Sequence, residues 1–122
     1  MKNSYAVRGA TTVEMDSSAA MDEAVCELFE EMLRRNELDP DDIVYIIASQ
    51  TSDLKSKNTA TCLRKTGRCD DIPLFCVQEA EINGMMPRVI RLMVVVGHEK
   101  TGEARMVYLR RAAALRPDLK ME

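Results

Sequence analysis

The run VIRLMVVV at residues 89–96 most constrains what this chain can fold into. Alternation puts Val89, Arg91, Met93 and Val95 on one face and Ile90, Leu92, Val94 and Val96 on the other. Both faces are apolar, which predicts a central strand covered on both sides. Arg91 then points into protein unless that face opens into a cleft. A buried guanidinium costs several kcal/mol unless anions pair with it. Two readings follow. One is a structural ion pair with Glu79 or Glu81. The other is an anionic ligand held by a fixed two-pronged donor.

The elements around this strand are read in order. Tyr5, Ala6 and Val7 start a first strand, and Arg8 precedes a glycine, where the backbone can turn or approach a ligand closely. Ser17 or Ser18 offers an N-cap, with Asp22 and Glu23 expected in the first turn. Met21, Val25, Leu28, Phe29 and Met32 recur at helical spacing, and Asn36 closes that helix. Asp39-Pro40 predicts a short turn of helix. Residues 43–48, IVYIIA, read as a buried strand, and residues 49–57 as a polar loop. Asn58 caps a second helix over 59–65, stopped by Gly67. Residues 74–77, LFCV, are a short strand. Residues 104–114 read as the last strand, followed by an extended tail over 115–122.

The order β, α, β, α, β, β, β has too few helices to cover both sheet faces. It predicts a single α+β domain over 1–122, a mixed sheet with two main helices on one face. The other face needs a cover, and a symmetric oligomer packed sheet to sheet supplies one.

The net charge of −3 and the absence of a Lys/Arg cluster with interleaved aromatics argue against a nucleic-acid partner. No apolar run is long enough to span a bilayer, and the N-terminus lacks the apolar core of a signal peptide. Cys26, Cys62, Cys69 and Cys76 form no C-x-x-C pair, so free thiols in a reducing cytoplasm are expected and a metal site is not. The serines lack a base partner, and the one histidine, His98, lies in a polar turn. No phosphate-binding glycine motif is present. Glu79 and Glu81, two apart, offer at most a weak acid/base signal. The remaining arginines, tyrosine, glutamate and cysteine suit binding and orienting a small dianion better than moving protons.

At these residues the sequence resembles the monofunctional AroH-class chorismate mutases. The resemblance rests on Val7-Arg8-Gly9-Ala10-Thr11-Thr12-Val13-Glu14, Ser52-Asp53-Leu54, Cys76-Val77-Gln78-Glu79 and Pro87-Arg88-Val89-Ile90-Arg91. Val107-Tyr108-Leu109 and Leu115-Arg116-Pro117-Asp118-Leu119 complete it. It implies conversion of chorismate to prephenate, a Claisen rearrangement in aromatic amino acid synthesis. It also implies a homotrimer, sheets packed at its centre, with sites between subunits and no cofactor. By resemblance, Arg91 faces the ether oxygen of the breaking bond. Arg8 and Tyr108 hold the enolpyruvyl carboxylate, and Glu79 and Cys76 meet the ring hydroxyl. The backbone of Phe75 to Val77 lines the site, and Arg64 and Arg116 lie near its mouth and the ring carboxylate.

The chain departs from the family pattern at one edge. Asn58-Thr59-Ala60 stands where Phe-Pro-Ala is usual, Ser52 where proline is frequent, and Thr61 where lysine or glutamate is usual. A second reading is a weak or inactive relative that binds a small dicarboxylate. A third, on subunit shape alone, is a trimeric imine deaminase, whose own motifs are not evident.

Overall fold

The computed structural model describes residues 4–97 and 103–115. Five strands make one mixed sheet: β1 (Ser4–Thr12), β2 (Ile43–Gln50), β3 (Leu74–Gln78), β4 (Val89–Gly97) and β5 (Val107–Tyr108). Their order is β3-β2-β4-β1-β5, so β4 is central. It runs antiparallel to β1 and β2, while β5 is parallel to β1 and β3 to β2.

Helices α1 (Ser18–Arg35) and α2 (Thr59–Lys65) cover one face. Ser17 caps α1, its hydroxyl accepting from the Ala20 N–H at 3.2 Å. Asp22 and Glu23 therefore sit one turn further in than the sequence reading puts them, and the first turn holds no acid. Met21, Val25, Leu28, Phe29 and Met32 are all buried, as their spacing predicts. They meet Val7, Ile46, Ala48, Ile90, Leu92, Val94 and Val96 from the sheet. Gly9 marks the closest approach. A Cβ there would lie 2.5 Å from Met32 Sδ and 3.1 Å from Leu28 Cδ1. The missing side chain makes room for α1. Gly9→Ala should cost roughly 1–3 kcal/mol of stability by overpacking, read from the shift in urea midpoint.

Asp22 ties α1 to the loop before α2. Lys57 Nζ and Lys65 Nζ both approach its carboxylate, at 2.8 and 2.9 Å. Hydrogen bonds from Lys57 and Lys65 hold its pKa down from 3.8 to about 2. A depressed carboxylate stabilises the fold above its unfolded pKa, and that contribution is lost as pH falls through about 4 toward 2. Asp22→Asn should lower stability near neutrality and flatten this part of the acid unfolding curve.

Three expectations are corrected. Strand β4 is central, but within one chain its second face is covered only in part. Ile90, Leu92, Val94 and Val96 are buried under the helices, and Val89 and Val95 are buried on the other face. Between those two, Met93 is 37 % exposed and Arg91 is half-exposed. The last strand is two residues, not eleven. Arg110 has φ +53°, which breaks the extended chain, and residues Arg110–Leu115 form a 3-10 turn. The three alanines at 112–114 lack the branched or aromatic side chains that favour a strand. Strand β2, in turn, runs two residues past Ala48, into what reads as loop, and Tyr45 within it is exposed.

Candidate active site

The strand register assembles the site. On the face away from the helices, one row of neighbours crosses the sheet: Val77, Ser49, Arg91, Ala10 and Tyr108. The adjacent row is Phe75, Ile47, Met93 and Arg8. Each residue comes from a different strand, and parity alone puts them on one side. Together with Glu79, just beyond β3, these rows border a cavity of about 370 Å³. Its walls include Arg8, Ser49, Val77, Glu79, Arg91 and Tyr108.

Arg91 and Glu79 form an ion pair, Nε to Oε2 at 3.1 Å, with side chains 43 % and 23 % exposed. The two readings of Arg91 therefore meet at one place: it has a protein anion, and both partners face the cavity. Glu79 is held from two further directions. Its main-chain N–H donates to the Gln50 carbonyl at 2.9 Å, and the Ser49 hydroxyl donates to Oε2. Its second oxygen, Oε1, has no hydrogen-bond partner among the described residues. Neither does the Arg8 side chain; the Arg8 main-chain N–H meets Met106 Sδ at 3.2 Å. Tyr108 is buried at the far end of the cavity, beside Ala10 and Ala112. Two guanidinium groups and one carboxylate leave a net positive site in a chain of net charge −3.

The loop after β2 aims Arg91. The Asp53 carboxylate accepts the Arg88 main-chain N–H at 3.0 Å, and the Thr51 hydroxyl accepts the Val89 N–H at 3.0 Å. Thr51 also donates to Asp53 at 2.5 Å. Arg88 itself has φ +52° and its Nε donates to the Val13 carbonyl at 2.8 Å. These bonds fix where β4 begins, and so which way Arg91 points. They give Ser52-Asp53-Leu54 and Pro87-Arg88 a structural job.

The altered edge is polar and tied down. Asn58 caps α2 through the Ala60 N–H at 2.8 Å. Gln50 Oε1 accepts both the N–H and the hydroxyl of Thr59 at 2.8 Å. Gln50 Nε2 donates to the carbonyls of Leu54 and Lys57 at 2.9 and 3.1 Å. One side chain thus spends its whole amide on the loop and the helix start.

Of the residues singled out from sequence, Arg8, Val77, Glu79, Arg91 and Tyr108 come together. Others do not. The Cys76 side chain lies on the helix side of β3, against the core, with its thiol 3.7 Å from Gln50 Oε1. Alternation forces this once Val77 faces the cavity. Phe75 shares the open face but does not border the cavity, and it is 66 % exposed. Arg64 is engaged elsewhere, donating to the carbonyls of Cys69 and Asp70 at the end of α2. Glu81 accepts from Ser52 and faces a different groove, so it does not pair with Glu79. Arg116 and His98 lie outside the described residues. Ser49 was missed because it reads as loop. Carrying the alternation of β2 two residues further, through Ser49, would have found it.

The cysteines are free. Cys62 is buried beside Asp22, and burial pushes its thiol up to about 12, where it is unreactive. Among the described residues no three His, Cys, Asp or Glu side chains converge as metal ligands do, and no helix is long and apolar enough to cross a membrane.

The chain is similar to known proteins over most of its length. The family described as chorismate mutase type I matches residues 4–119. Chorismate mutase AroH of Bacillus subtilis (strain 168) is 33 % identical over 116 residues, covering 94 % of this chain and 91 % of the relative. Chorismate mutase AroH of Thermus thermophilus is 36 % identical over 115 residues, covering 93 % of each. Among solved structures, a chorismate mutase from Clostridium thermocellum superposes with a TM-score of 0.83 at 30 % identity, covering 90 % of this chain and 98 % of that one. Two arginines, a glutamate and a tyrosine around one cavity, on a sheet of this order and with this extent of likeness, carry one conclusion: the chain belongs to the type I, AroH-class chorismate mutases.

Proposed function

We propose that the cavity between Arg8, Glu79, Arg91 and Tyr108 converts chorismate to prephenate, as an enzyme of aromatic amino acid synthesis in the cytoplasm. The observation that carries this is Arg91: a half-exposed guanidinium in the central strand, held on one side by Glu79 and open to the cavity on the other. The rearrangement breaks a C–O bond as a C–C bond forms within one molecule, and no proton changes place. Its transition state gathers negative charge on the ether oxygen. Donors aimed at that oxygen lower the barrier more than they stabilise bound substrate. Arg91 is that donor. The Arg8 guanidinium and the Tyr108 hydroxyl hold the enolpyruvyl carboxylate, and Glu79 Oε1 accepts from the ring hydroxyl. Clamping both ends folds the side chain over the ring, which supplies the orientation part of the rate. The net positive cavity offsets part of the dianion's charge.

The same reading makes the protein a homotrimer. Tyr45, Phe75, Val77 and Met93 leave an exposed apolar band beside the cavity mouth. Three copies packed sheet to sheet would cover it. Loss of chorismate absorbance, with prephenate identified as product, tests the activity. Light scattering at about three times 13.7 kDa tests the assembly. Binding of chorismate without turnover would instead support a dicarboxylate-binding relative.

A further inference from the structure

We infer that Ser49 is a positioning residue for this reaction, and that its hydroxyl keeps Glu79 from closing on Arg91. The inference rests on the reading of the cavity as the site of the rearrangement. Ser49 sits on β2 in register with Arg91 on β4 and Val77 on β3, and its side chain borders the cavity. Its hydroxyl donates to Glu79 Oε2, the same oxygen that lies 3.1 Å from Arg91 Nε. The next residue, Gln50, holds the Glu79 main chain through its carbonyl at 2.9 Å. The end of β2 therefore grips both the backbone and the carboxylate of Glu79.

The physical need for this grip lies in the geometry of the arginine–carboxylate pair. Left to themselves, the two groups favour a fork-to-fork pairing, with two parallel N–H···O bonds. That pairing would take up Glu79 Oε1 and the Nη groups of Arg91 together. Both are required elsewhere, Oε1 for the substrate hydroxyl and the guanidinium for the ether oxygen. Here the closest approach is Nε to Oε2 at 3.1 Å, and the serine supplies a second donor to that oxygen. Oε1 and the guanidinium end thus stay available to the substrate.

The test compares Ser49→Ala with the isosteric pair Ser49→Thr and Ser49→Val, each alone and in a Glu79→Ala background. Steady-state conversion of chorismate is measured, with circular dichroism and urea midpoints as checks on folding. Ser49→Ala and Ser49→Val should lose roughly tenfold in kcat/KM, the scale of one hydrogen bond to a charged group, mostly in kcat. Ser49→Thr, which keeps a hydroxyl, should stay within about threefold of the parent. In the Glu79→Ala background all three should differ little, because no carboxylate remains to be held. Equal loss in both backgrounds would overturn the inference, since Ser49 would then act without Glu79. So would a Ser49→Val variant as active as Ser49→Thr, a comparison that stands even if Ser49→Ala folds poorly. A parent chain that leaves chorismate unchanged would sink the functional reading together with this one. A parent that converts it, with Ser49→Ala within twofold, would sink the role of Ser49 alone.

Discussion

Replacing Arg91 with alanine should reduce chorismate turnover by two orders of magnitude or more while leaving the fold intact. The size follows from removing the proposed transition-state donor. The separation of activity from stability follows from the surroundings. Arg91 pairs with Glu79 at 3.1 Å, but its side chain is 43 % exposed, and ion pairs in such settings contribute about 0–1 kcal/mol. Its neighbours on the same face of β4, Val89 and Val95, are buried and stay so without it. Lysine at this position keeps the charge but loses the planar fork, so it should retain some binding and little turnover. A neutral isostere of arginine should fall nearly as far as alanine, because the charge is removed even though the shape is kept. The check is kcat beside a urea unfolding curve for each variant. Near-parent turnover in a folded Arg91→Ala variant would exclude the electrostatic mechanism. Failure of that variant to fold would make Arg91 a structural ion-pair partner first.

Arg8→Ala should behave differently. The Arg8 guanidinium has no ion pair or hydrogen bond among the described residues, so its removal breaks no polar contact among them. Its proposed task is to hold the carboxylate of the substrate, which is present in both ground and transition states. Loss of a bond between charged groups is worth about 1.5–3 kcal/mol, or roughly ten- to a hundredfold in kcat/KM. The change should appear chiefly as a raised KM, since binding is lost about equally before and at the transition state. It should weaken with added salt in the parent and be almost salt-independent in the variant. A drop confined to kcat would mean that Arg8 acts on the reacting bond and not on the carboxylate.

Much of this architecture is legible in the chain because its signals agree. Met21, Val25, Leu28, Phe29 and Met32 specify one helix face, and Val89 to Val96 specify a central strand. Asn58 and Gly67 bound the second helix where the structure begins and ends it. What was not legible depends on information that local pattern does not hold. Leu74 to Val77 is apolar throughout, so nothing in it says which of Cys76 and Val77 meets the core. The pairing with β2 decides that, and it sends the Cys76 thiol away from the cavity. The end of the last strand turns on one backbone angle at Arg110, a residue with no strong preference for φ above zero. Its side chain then reaches Glu27 at 3.0 Å and Glu23 at 3.4 Å, which fixes the turn against α1. Ser49 shows the reverse case. The alternation that finds it is present, but Ser49 and Gln50 are polar and so look like the start of a loop.

The pairing of β1 with β4 has a consequence for how the chain is made. Ser4 to Thr12 leaves the ribosome before both helices, yet its antiparallel partner, Val89 to Gly97, is translated only after them. Until then the earliest strand has no neighbour, and α1 has no finished surface on which to lie. Contacts so distant in sequence close slowly, and a waiting strand edge is open to other nascent chains. Arg8 and Arg91 come to share one cavity only when that late pairing closes. During synthesis or refolding, therefore, the appearance of turnover should mark the docking of the first strand onto the fourth and lag behind the formation of helix.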